Sequence, residues 1–338
     1  MIKRQLLAVM ILTAVIACNN NKEENTMVTD PVVTTAEVDE KREQYVSEYP
    51  RVPETPDILN AGDTGIAVYN ACVERYEKSL SDLKKVADEL GAKLIVTILS
   101  PEVGDAITVS GSKGIPIITS IAQQLKLDNY DCMNPLKSFA GQKITQMPLD
   151  GHWSITGSKI VADLYQPIIS KYTGHRSVKT FTEAERASVL GDLEPNQDVA
   201  LDGGKNLPYQ LITNKQGFRM NTDLVFPKAK QRILLLGDSQ LYSPFLNNGQ
   251  IFTALLQQRF PEAEIINAGV IGYTIDDQVS LLSERAKYAE PDLIILVTNP
   301  NDIGDFYFSQ RNKMSRVKKA YEPSSTELSL YQQLYGSK

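Results

Sequence analysis

Apolar residues in this chain recur either three to four apart or in short continuous runs, and the alternation of the two patterns predicts an α/β domain. Val73, Tyr76, Leu80, Leu83, Val86, Ala87 and Leu90 make one face of a helix, and Gly91 is placed to end it. Residues 94–99 (LIVTIL) form an unbroken, partly β-branched run, the pattern of a strand covered on both faces of a parallel sheet, and Pro101 stops it. A second helix is predicted over 117–127, with Pro116 in its first turn. A third is predicted over 156–172, with Ile160, Val161, Leu164 and Ile168 inward and Pro167 as a kink. From Arg232 the pattern becomes strand 233–236, helix 251–260, strand 264–267, helix 275–288 and strand 293–297. This βαβαβ order predicts a doubly wound parallel sheet, whose ligands bind at the carboxyl ends of the strands. Residues 175–231 are charged, with Gly203-Gly204 and scattered apolar positions. They read as an insertion or long connection with one helix near 182–190.

The N-terminus follows other rules. Lys3 and Arg4 precede an apolar run, 6–15, too short to span a bilayer as a helix. The run ends in Val15-Ile16-Ala17-Cys18, which resembles a bacterial lipobox. The resemblance implies an exported protein lipidated on Cys18 and anchored to the cell envelope by that lipid, at the periplasmic face or the cell surface. No other apolar run is long enough for a transmembrane helix. Residues 19–58 are rich in Thr, Glu, Asp, Asn, Lys and Pro and read as a flexible tether. The expected division is therefore a leader, 1–18; a tether, 19–58; a first half-domain, 59–174; the insertion, 175–231; and a second half-domain, 232–338.

Of 338 residues, 42% are hydrophobic, enough for one α/β domain of about 200–250 residues with a tail and an insertion. The formal charge is −6 and no five consecutive residues are Lys or Arg, which argues against a nucleic-acid partner. Two His and no close Cys/His cluster argue against a metal site, and no motif calls for a cofactor. Beyond Cys18, Cys72 and Cys132 read either as a disulfide or as two buried thiols.

Three short motifs stand at the three successive strand ends: Gly237-Asp238-Ser239, Asn267-Ala268-Gly269-Val270-Ile271-Gly272, and Thr298-Asn299-Pro300-Asn301-Asp302. Each alone has an ordinary reading, as a helix cap, a glycine turn or an Asn-Pro turn. Together they place a hydroxyl, a close-approach glycine and a side-chain amide on one edge of the sheet, the parts of a nucleophile with an oxyanion hole.

The set resembles the first three blocks of the SGNH/GDSL esterase superfamily. The resemblance implies that Ser239 is the nucleophile and that its backbone N–H, Gly272 and Asn301 form the oxyanion hole. Asn299 departs from the pattern, where the family has glycine two residues before the block-three Asn. The family's fourth block, an Asp and a His near the C-terminus, is missing after Ser239. Instead Asp150-Gly151-His152-Trp153 precedes it, which implies a circularly permuted SGNH fold of flavodoxin-like type. Gly151 is expected to let Asp150 and His152 meet.

This order, over roughly residues 60–172 and 230–305, is similar to the SGNH-like domain of alginate O-acetylation proteins of the AlgX/AlgJ type. It implies acyl-ester chemistry on a polysaccharide or acylated carbohydrate, by an O-acetyltransferase or an O-acetylesterase. His152 would serve as base, Asp150 as its orienting carboxylate, and Trp153 either as a sugar contact or, more simply, as packing. The chain has no membrane domain to supply acetyl, so a transferase would draw on a membrane acyl-donor protein. The competing reading is a glycan-binding scaffold lipoprotein that keeps the fold without the chemistry.

Overall fold

A computed structural model describes residues 58–101, 109–139, 142–147, 149–202, 207–304 and 324–335. The leader, Cys18 and almost all of the tether lie outside them. Among the described residues no helix is long and apolar enough to cross a membrane.

The chain opens with α1 (Gly62–Leu90), β1 (Lys93–Ile98), α2 (Val109–Gln124), β2 (Asp128–Asp131), the short α3 (Met133–Leu136) and α4 (Ile155–Ser170). The hairpin β3 (Asp198–Leu201) and β4 (Tyr209–Ile212) follows. After it come β5 (Gln231–Gly237), the one-turn α5 (Ser239–Tyr242), α6 (Phe252–Arg259), β6 (Ala263–Asn267), α7 (Ile275–Glu284), β7 (Leu293–Thr298) and α8 (Ser325–Tyr335). Five strands form one sheet in the order β2-β1-β7-β5-β6, every adjacent pair parallel.

Alternate residues of each strand enter opposite cores, as the period of two requires. Leu94, Val96, Leu234, Leu236, Ile294 and Leu296 pack against α1, α2 and α7. Ile95, Ile233, Leu235, Leu293, Ile295 and Val297 pack against α4 and α6. The helices after β5 and β6 thus cover opposite faces, and the sheet reverses direction between β5 and β7. That reversal opens a crevice at the carboxyl ends of these two strands, the usual ligand position in such sheets. Counted from β5 onward, with β1 and β2 placed after β7, the strand order reads 2-1-3-4-5.

Most elements lie where the apolar pattern puts them. Gly91 ends α1 in a left-handed conformation, φ +67°. Three expectations need correction, and strand β2 has no counterpart among them. Helix α2 begins at Val109, so Pro116 lies in its interior at the loss of one helical N–H bond; the polar, glycine-bearing start of the helix carries no apolar period. Helix α7 stops at Glu284, and a 3-10 turn, Ala286–Ala289, completes the segment. Strand β2 is polar and pairs only with β1, so its sequence lacks a buried run. No helix forms over 182–190: a single turn at 183–185 is tied by reciprocal bonds between Thr182 and Glu185. Beyond it, Leu190 and Gly191 direct their N–H groups to the Gln216 carbonyl.

The insertion is built into the domain. Leu190, Phe218 and Leu224 enter the core. Buried Asp292 binds Lys228 at 2.7 Å and the Ser177 N–H at 2.7 Å. Cys72 and Cys132 are buried and not joined by a disulfide; they lie one in each core, with the sheet between them.

Candidate functional site

Strand β5 is buried along its whole length and delivers Asp238 and Ser239 to the crevice. Gly237 is required at its end: a Cβ there would lie 2.9 Å from Leu241 Cβ and 3.0 Å from the Val297 carbonyl. Asp238 caps α5 by accepting the Gln240 N–H at 2.8 Å, and Ser239, half-buried, is the first residue of that turn.

Asp150 and His152 come from the loop before α4. Thr145 bridges Trp153 in an antiparallel pair, the Gln146 N–H donates to the His152 carbonyl at 2.9 Å, and the Ser154 N–H donates to the Ile144 carbonyl at 3.0 Å. Trp153 is wholly buried and packs this loop onto the core shared by α4 and α6. It anchors the loop and has no exposed ring face to offer a sugar, so of the two roles expected for it the structure fits packing. Gly151 is exposed, keeps an ordinary φ and has open space where a Cβ would stand. The Asp150–His152 contact therefore does not draw on glycine's freedom.

Asp150 accepts both the backbone N–H and the ring Nδ1–H of His152. With Nδ1 committed, Nε2 is the nitrogen left to exchange a proton. The ring stands edge-on to Phe245, centroids 6.1 Å apart. Burial pushes the Asp238 carboxyl above the usual range; the Gln240 N–H and the charge of His152 oppose that rise. His152 is thus within electrostatic reach of the residue preceding Ser239, although 86 positions separate His152 from Asp238 in the sequence.

The other two motifs stand on the strands flanking β5. Gly272, after β6, has φ +74°, a left-handed conformation that suits glycine. In the same motif Gly269 is pressed against α5: a Cβ would lie 2.5 Å from the Tyr242 nitrogen. After β7, Asp302 accepts the Thr298 hydroxyl at 2.8 Å and the Asn299 N–H at 3.1 Å. The Asn299 position is thereby held without glycine. Asn301 lies in the 3-10 turn Pro300–Ile303, and its side chain falls outside the described residues. His175 is exposed beyond α4. Among the described residues no group of three or more His, Cys, Asp or Glu is placed to hold a metal ion.

Three residues at the site were given no role from the sequence. Asn267 donates to the Leu241 carbonyl at 3.1 Å and accepts the Gly269 N–H at 2.9 Å, tying its motif to helix α5. Arg219, from the insertion, is buried beneath the segment after Ser239. Tyr209, from β4, packs against Phe245 with centroids 5.9 Å apart. Only Asn267, at a strand end inside a motif, could have been singled out.

No family model and no curated protein sequence matches this chain. Among solved structures, it is similar to the O-acetyltransferase domain of Pseudomonas putida AlgJ, at 14% identity and a TM-score of 0.46, over 80% of this chain and 92% of that one. It is also similar to Bacillus cereus PatB1 with a sulfonyl adduct, at 11% identity and a TM-score of 0.37, over 74% of this chain and 92% of that one.

Proposed function

We propose that this protein is a serine-dependent acyl-ester enzyme, an O-acetyltransferase or O-acetylesterase acting on a polysaccharide or acylated carbohydrate. The observation that carries the reading is the imidazole of His152, bound through Nδ1 by Asp150 and packed edge-on against Phe245, in the segment that follows Ser239 at the carboxyl end of β5. The carbohydrate substrate is supported by the motif order alone, Asp150–His152 ahead of Gly237–Ser239. That order, with the 2-1-3-4-5 strand sequence counted from β5, also supports reading the domain as a circular permutation. Envelope anchoring through Cys18, and a membrane partner supplying the acyl group, belong to the same proposal.

Ser239 Oγ attacks the ester carbonyl while His152 Nε2 takes its proton. Asp150 holds the ring in the required tautomer and stabilises the imidazolium. The oxyanion is met by the N–H of Ser239, Gly272 and the Asn301 amide. Collapse expels the donor alkoxide, which takes the proton back from His152 and leaves an acyl-Ser239. A sugar hydroxyl or a water then gives its proton to His152 and attacks the acyl carbon, and the acyl–Oγ bond breaks as Ser239 Oγ takes that proton from His152. Which acceptor reaches the acyl-enzyme separates transferase from esterase.

The test is hydrolysis of p-nitrophenyl acetate by the full chain, beside Ser239→Ala and His152→Ala. Turnover that both substitutions abolish supports the reading. An unsubstituted chain no faster than Ser239→Ala, even with an acetylated glycan as donor, overturns it and leaves a glycan-binding protein.

A further inference from the structure

The segment leaving Ser239 is unusual in its backbone. Ser243 and Phe245 both adopt left-handed conformations, φ +59° and +64°, which non-glycine residues rarely take. Such a turn directs carbonyls inward, where each needs a donor. One side chain meets most of that need. The buried guanidinium of Arg219 donates to the carbonyls of Tyr242, Ser243 and Leu246 and, at 3.1 Å, to Asn248 Oδ1. Its own backbone N–H is tied to the Asn267 carbonyl at 3.1 Å, at the end of β6. The Asn267 side chain donates to the Leu241 carbonyl at 3.1 Å. Arg219 faces acceptor oxygens and the rings of Tyr242 and Tyr209, 4.6 and 5.5 Å away.

Both proposed reacting residues rest on this turn. The Ser243 N–H donates to the Ser239 carbonyl at 2.8 Å, and the Phe245 ring backs His152. We infer that Arg219 is a positioning residue: its fork of donors holds the left-handed turn from Tyr242 to Leu246 and so sets Ser239 and His152 relative to each other. The role in turnover rests on the acyl-ester reading; the clamp on the turn does not. The insertion therefore supplies a part of the site. Arginine suits the task because five fixed donors on a planar group satisfy diverging carbonyls that lysine, a single ammonium on a flexible stem, satisfies less well.

The full chain, Arg219→Met, Arg219→Lys and Ser239→Ala are compared in p-nitrophenyl acetate turnover and in amide hydrogen exchange. Arg219→Met is expected to lower kcat about 10–100-fold with little change in KM, as displaced reacting groups do. Arg219→Lys is expected to recover part of that loss. Exchange at the Ser243 amide should rise at least about tenfold while α1 and α4 stay protected. Turnover of Arg219→Met within twofold of the unsubstituted chain overturns the positioning role. If Arg219→Met does not fold, Arg219→Lys carries the same comparison. If the unsubstituted chain is no faster than Ser239→Ala, the acyl-ester reading has failed, and exchange alone decides the clamp: unchanged protection of Ser243 in the Arg219 variants overturns it.

Discussion

The carboxylate of Asp150 binds His152 twice, through the backbone N–H at 2.9 Å and through ring Nδ1. One residue thus fixes both the loop and the tautomer. Asp150→Asn keeps an acceptor for the backbone N–H, but its amide can turn an N–H toward Nδ1 and favour the wrong tautomer. Its kcat for p-nitrophenyl acetate is expected to fall about 10³–10⁴-fold, with the fold retained by circular dichroism. A loss under tenfold would mean that the ring is oriented by something other than Asp150.

Two glycines near the site should respond oppositely to alanine. At Gly269 the new Cβ would sit 2.5 Å from backbone nitrogen of Tyr242, an atom that cannot swing away. Gly269→Ala is expected to cost about 1–3 kcal/mol or more, read as a lower urea midpoint, and to reduce turnover by displacing α5. Gly151→Ala meets nothing within 4 Å and should stay within about 0.5 kcal/mol of the parent. Equal effects at the two positions would contradict this packing.

Asp292 should make the fold acid-sensitive. Burial raises its carboxyl, but Lys228 and the N–H groups of Arg232 and Ser177 outweigh burial and hold it below the ordinary carboxylate range. A depressed folded-state pKa adds stability that is fully present above the unfolded value and is lost as pH falls through the folded one. Urea midpoints should therefore decline below the usual carboxylate range, and Asp292→Asn should flatten the part of the decline that Asp292 causes. At neutral pH the same substitution strands Lys228 and is expected to cost about 3–5 kcal/mol. A pH profile that is identical in the variant would remove Asp292 from the account.

Cys72 and Cys132 should behave as inert thiols. They lie in opposite cores, and burial, with Asp131 nearby, pushes the Cys132 thiol up to about 12, far from the thiolate needed for reaction. Ellman's reagent is expected to find neither in the native domain and both after denaturation. Reductant should leave the thermal midpoint unchanged; a drop on reduction would mean that they pair.

The elements that the chain announces are those whose environment is uniform along their length. Residues 94–99 and 293–297 are covered on both faces, so their apolar runs are unbroken, and α1 buries one regular stripe. Strand β2 carries polar residues because it is only partly covered, so no period marks it. Gly237, Ser239 and Gly272 were legible because a turn at the end of a buried strand restricts residue type strongly.

By itself the sequence determined the α/β class, the strand ends and the pairing of Asp150 with His152, since all of these depend on neighbours within a few residues. Only the tertiary structure decided that His152 packs against Phe245, in the segment that follows Ser239, that Trp153 is wholly enclosed, and that the insertion enters the site through Arg219 and Tyr209. Those contacts join residues tens of positions apart. Their strength comes from burial, which makes a carbonyl without a donor costly, and burial is a property of the assembled sheet and its two cores.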